Sequence, residues 1–172
     1  MALTDKQAGV LKGMMAGLAV TVASLGAAIF GGLEVHADAP PARAIKWETL
    51  VIGCLAINIA LLARHRFFTP DDIDGGGLSK GTPTAQILQS TLQNTLEQTV
   101  LALAVHSVWR SVMPPTFQLA IPAASILFVV GRIMFWRGYA KGAAARALGF
   151  SLTFYPSVVM LLAIVFWIVF IQ

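Results

Sequence analysis

Charge is scarce in this chain of 172 residues: 12% are Asp, Glu, Lys or Arg, against 57% hydrophobic. An average soluble domain carries about 25% charged residues. A single domain of this length cannot hide so much apolar surface within itself, and the mean hydropathy of +0.76 points the same way. Lipid must cover the remainder. Cysteine is scarcer still. Cys54 stands alone, which excludes an intramolecular disulfide and a cysteine-based zinc cluster. A small buried or lipid-facing role is expected of it. A basic block is also missing. The 12 Lys and Arg residues are dispersed among apolar segments, so the net charge of +4 does not point to nucleic acid as a partner. There is no internal repeat.

What is present is a series of apolar runs. A spanning helix needs about 20 such residues at about 1.5 Å per residue. Five segments qualify: Gly13 to Leu33, Trp47 to Ala63, Ala85 to Trp109 interrupted by Glu97, Ser111 to Gly131 opened by Pro114 and Pro115, and Ala147 to Gln172. The second extends through Arg64 and Arg66 if their side chains reach the interface. A bend is expected near Pro156, which removes a helix hydrogen bond. The fold expected is all-α, a polytopic transmembrane helix bundle. Pro40-Pro41 marks one loop, and Met113-Pro114-Pro115 marks a tight turn that makes the third and fourth helices a hairpin. The stretch Phe67 to Pro83 holds Asp71, Asp72, Asp74 and Gly75 to Gly77, but lacks the alternating ligands and distal Glu of a calcium loop. It reads as a solvated connection, and no metal is expected.

With five spans, one side collects Lys6, Lys12, Arg64, Arg66, Lys80, Arg132, Arg137, Lys141 and Arg146; the other collects Arg43, Lys46 and Arg110. The richer side is expected to be cytoplasmic. That puts the N-terminus inside and the C-terminus outside, periplasmic if the Ala-rich composition reflects a bacterial inner membrane. The first segment could instead be a signal peptide cleaved near Val35-His36-Ala37. Its apolar run is longer than the usual 7–15 residues of such a signal. Gly9, Gly13 and Gly17 also align at every fourth residue, a face on which another helix can approach closely. A retained helix is therefore expected.

A charge at a helix centre costs about 2.5–3.5 kcal/mol on insertion scales, so Glu97 needs a reason. Ser90, Gln93, Asn94 and Glu97 fall on one helix face. Arg132 and Tyr139 share a face of the next helix, with Arg146 beyond them. Glu97 and Arg132 could neutralise each other. Such residues can simply glue helices together, and His106 belongs with that reading. Two arginines and a tyrosine near the cytoplasmic ends are also equipment for holding an anion.

Asn94-Thr95-Leu96-Glu97-Gln98 resembles the Asn-x-x-Glu signature of the MAPEG family, membrane-associated proteins in eicosanoid and glutathione metabolism. The stretch Gly131 to Arg146 resembles its second signature, with Arg132, Tyr139 and Arg146 at the spacing of the leukotriene C synthase branch. The resemblance covers residues 47–172 and makes residues 1–46 an addition to a four-helix core. It implies a homotrimer with glutathione bound between subunits near the cytoplasmic face. It further implies that Asn94, Glu97, Gln93, Arg132 and Tyr139 hold glutathione, Arg132 pairing with Glu97 or with a ligand carboxylate. Arg146 would sit beside the sulfur, and Arg64 and His65 match the family's basic pair. Ser90 stands where many members have arginine, and Phe135 where Tyr or His is common. The activity implied is a glutathione-dependent transferase or peroxidase acting on lipophilic electrophiles. The alternatives are a non-catalytic lipid-binding scaffold of the same fold and, with no repeat to support it, a small transporter.

Overall fold

The computed structural model describes residues 3–31 and 42–171. The Pro40-Pro41 loop and the Val35-His36-Ala37 site lie outside the described residues. Five α-helices follow one another: α1 (Asp5–Phe30), α2 (Ala42–Phe68), α3 (Pro83–Val112), α4 (Ala120–Tyr139) and α5 (Ala143–Phe170). α1 opens with a reciprocal cap, in which the Gln7 amide donates to the Thr4 hydroxyl and the Thr4 amide donates to Gln7 Oε1. α3 opens with Thr82 as cap and Pro83 in its first turn, where a missing N–H does no harm. α1, α2, α4 with its preceding turn, and α5 are each long and apolar enough to cross a membrane. α3 is the longest helix at 30 residues but carries the polar residues. The protein is an integral membrane protein built as an all-helical bundle.

The fourth helix differs from the sequence expectation. It starts at Ala120 rather than Ser111, because Pro114 and Pro115 hold the chain in a 3₁₀ turn, Pro115–Phe117. Trp109 Nε1 donates to the Phe117 carbonyl at 3.1 Å and closes that turn. The helix also continues past Gly131 to Tyr139, carrying Arg132 inside it. α5 runs on through Pro156 without interruption.

Glycine sets the helix spacing. A Cβ on Gly131, Gly138 or Gly149 would fall within 2.8 Å of atoms on the facing helix, so α4 and α5 pack nearly backbone to backbone. The Gly9, Gly13, Gly17 face meets α5 at Ala144, Ala147 and Ser151 in turn. Those contacts ascend together, so α1 and α5 run parallel. At the far end, Phe117 stacks edge-on with Phe30 and Trp167. There Arg110 of α3 also forms an ion pair with Glu48 of α2.

Candidate functional site

The site is built around Arg132, which is fully buried at 0% exposure. Its Nη1 donates to Asn94 Oδ1 at 2.9 Å and its Nη2 to Thr153 Oγ1 at 2.6 Å. The guanidinium lies 4.5 Å from the centroid of the Phe135 ring. A second polar layer backs this one. Asn58 of α2 donates to Thr95 Oγ1 at 3.0 Å and accepts from Thr91 at 3.3 Å, both buried.

The expected Glu97–Arg132 pair does not form within the chain. Successive helix residues turn by about 100°. Thr95 points fully inward, so Glu97, two positions on, faces nearly the opposite way. Glu97 is exposed and accepts from Gln93 Nε2 at 2.9 Å. Among the described residues no carboxylate pairs with Arg132.

Arginine can only donate, so its bond to Asn94 fixes the orientation of that amide. Oδ1 faces Arg132, which leaves Nδ2 as a donor on the other side. Asn94 lines a cavity of about 360 Å³ together with Tyr139, Arg146, Phe135 and Phe150. Arg146 places its guanidinium 4.2 Å from the Tyr139 ring centroid, and Tyr139 in turn packs edge-on against Phe135. Two aromatic rings packed edge to face, Phe135 and Tyr139, therefore bridge the guanidinium of Arg132 to that of Arg146. The turn that allows Arg146 to fold back is Gly142, whose φ of 101° suits glycine.

Three expected site residues, Asn94, Tyr139 and Arg146, thus share one cavity, with Arg132 behind them. Gln93 and Glu97 lie on the outer face of α3. Arg64 and His65 border a separate cavity of about 340 Å³ with Leu61, Phe68 and Leu88. His65 is also engaged: its Nε2 lies 2.8 Å from Asp72 Oδ2. Asp72 is buried and accepts from the Thr82 amide and hydroxyl, both at 2.7 Å. The hydrogen bond from the Thr82 hydroxyl is the main reason its carboxyl is held below the usual range, and it outweighs burial, which pushes the other way. The acidic loop is therefore a clasp between α2 and α3 rather than a wholly solvated connection. Ser90 borders a further cavity with Arg66 and Lys80, apart from the Asn94 cavity.

Sequence reasoning missed Thr153, Asn58, Thr91 and Thr95. Val10 and Met14 of α1, which also line the Asn94 cavity, were missed as well.

Fold and site together define a class: a polytopic membrane protein whose bundle holds a cation–aromatic cleft at one end. The chain belongs to the MAPEG family, whose family model matches residues 9–166. The match begins within α1, well ahead of Trp47. No curated protein and no solved structure matches the chain.

Proposed function

We propose that the protein is a glutathione-dependent membrane transferase or peroxidase that acts on lipophilic electrophiles. The observation that carries this reading is the convergence of Asn94, Tyr139 and Arg146 on one cavity. Glutathione offers carboxylates and peptide carbonyls, which suit the Asn94 and Tyr139 donors. Arg132 acts through Asn94 by holding its amide in the donor orientation. Arg146 favours the thiolate over the thiol, as a fixed cation does for a protein cysteine. In the transfer, sulfur bonds to the electrophilic carbon, the leaving group departs with its electron pair, and the thiol proton goes to water.

Gln93 and Glu97 face outward in one copy, so their contact with glutathione, Glu97 with its ammonium, belongs to a trimer in which a second copy closes the site. Arg64 and His65 would reach ligand only from such a neighbour. In this reading residues 1–46 add a helix to a four-helix core. The positive-charge asymmetry and the parallel course of α1 and α5 support a cytoplasmic N-terminus and a periplasmic C-terminus in a bacterial inner membrane.

A lipid-binding scaffold is the second reading, favoured by the apolar Phe135 in the cavity wall. Detergent-purified protein distinguishes the two. It should bind glutathione at up to millimolar concentration and conjugate 1-chloro-2,4-dinitrobenzene. Absence of binding would leave the scaffold.

A further inference from the structure

Two cavities of about 360 and 330 Å³ share Val10, Met14 and Ala143 as a common wall. The inner one is the Asn94–Tyr139–Arg146 site. The outer one runs along α1 past Leu11 to Gln7 and Lys6, its only polar neighbours. α1 cannot drift from this position without parting the Gly9, Gly13 and Gly17 contacts with α5, where a Cβ would already fall within 2.8 Å. The inner volume lies near the bottom of the range of about 300–1,000 Å³ usual for small-molecule sites. The cavity is open at its side in one copy, so a long acceptor can extend beyond it. Val10 and Met14 wall both cavities, and only the inner one touches Arg146, so an acceptor that outgrows the inner cavity meets these two side chains.

We propose that α1 is the specificity wall of the site. The reacting end of a neutral lipophilic electrophile sits beside Arg146 and Tyr139, and its apolar tail passes between Val10 and Met14 into the outer cavity. These two side chains then set the length of acceptor the protein takes. The proposal rests on the glutathione reading above and names the acceptor class for that site: an uncharged electrophile with an extended hydrocarbon chain.

The probe is a series of trans-2-alkenals from butenal to decenal, with glutathione and the full-length protein in one detergent. Sulfur adds to the β-carbon, the π pair moves to form the enolate, and the α-carbon takes a proton from water, so nothing leaves. For the unmodified protein, kcat/KM should rise with chain length. Met14→Trp and Val10→Trp should plug the passage and lower the decenal value about tenfold or more. The decenal-to-butenal ratio of kcat/KM should therefore fall about tenfold whatever the change in glutathione Kd, and the butenal turnover that remains shows that the variants fold. Met14→Ala should keep or raise the decenal value. Equal changes across the series in all three variants, or no change, would overturn the proposal and leave the glutathione reading standing. If the unmodified protein conjugates no alkenal and binds no glutathione, both fall.

Discussion

Arg146 offers the sharpest chemical test at the scale of single residues. Its guanidinium rests on the Tyr139 ring, so its position is held by a contact that survives a change of ligand. A fixed cation lowers the free energy of a thiolate, and that help matters only while the thiol would otherwise stay protonated. Arg146→Ala should slow conjugation strongly at neutral pH and much less well above about pH 8.5, the ordinary thiol pKa. Arg146→Lys should fall between, keeping the charge but losing the planar fork. Rate against pH for the three proteins decides it, and an equal loss at every pH removes Arg146 from this role. Asp72 gives a second pH dependence, of opposite sense. Its carboxyl is held charged chiefly by the Thr82 hydroxyl, so its folded pKa lies below the unfolded one. The unfolded chain takes up the proton first as pH falls. The clasp therefore contributes fully above about pH 4 and is lost progressively below it. Limited proteolysis of the 69–82 segment should be slow at neutral pH and quicken in acid. Asp72→Asn should be cut readily at both, and equal protection of the variant at neutral pH would show that the clasp does not order the loop.

Among the helices, what could be read from the chain was what depends on local order. Apolar runs of spanning length located all five helices, and the Gly9, Gly13, Gly17 repeat marked a close-packing face that the structure seats on α5. Asn94, Tyr139 and Arg146 could be named because motif spacing places residues on known helix faces. The environment of Arg132 could not. Its shortest hydrogen bond is to Thr153, on another helix 21 residues away, and no periodicity links the two. The Glu97–Arg132 pairing failed for a related reason: two charges of opposite sign attract on paper, but helix phase turned Glu97 away from the bundle. α1's place against the cavity was equally illegible, because a glycine face does not say which helix it meets. The glycine face can be tested within α1 itself. A Cβ on Gly17 would lie 2.3 Å from Ser151 Cβ, whereas one on Gly26 meets nothing within 4 Å. Alanine is favoured over glycine in a helix by about 1 kcal/mol. Gly26→Ala should therefore hold or raise the thermal midpoint in detergent, and Gly17→Ala should lower it by prising α1 from α5. Equal midpoints would mean that α1 is not seated as described.

For the molecule as a whole, the decisive feature is the polar edge that α3 leaves uncovered. Gln93 and Glu97 bond to each other at 2.9 Å and to no other side chain among the described residues. Both are exposed on a helix whose other outward residues include Leu96 and Val100. Against lipid, a charge near a helix centre costs about 2.5–3.5 kcal/mol, and the cost recurs in every copy. A second copy that covers this edge removes the penalty, and closed symmetry then favours a small ring of subunits. The trimer proposed for this protein makes that edge its interface and brings Glu97 to the cavity of a neighbour. In mild detergent the unmodified protein should run at three times its chain mass of 18.3 kDa. Replacing both residues, Gln93→Leu with Glu97→Leu, makes the edge compatible with lipid and removes the incentive to cover it. The double variant should shift toward the single chain while keeping its helical content, since neither side chain supports the fold within one copy. Glutathione binding should fall in step with the loss of trimer. A single-chain mass for the unmodified protein, or a trimer that the double variant leaves intact, would show that this edge is not the interface and that Glu97 meets no neighbouring site.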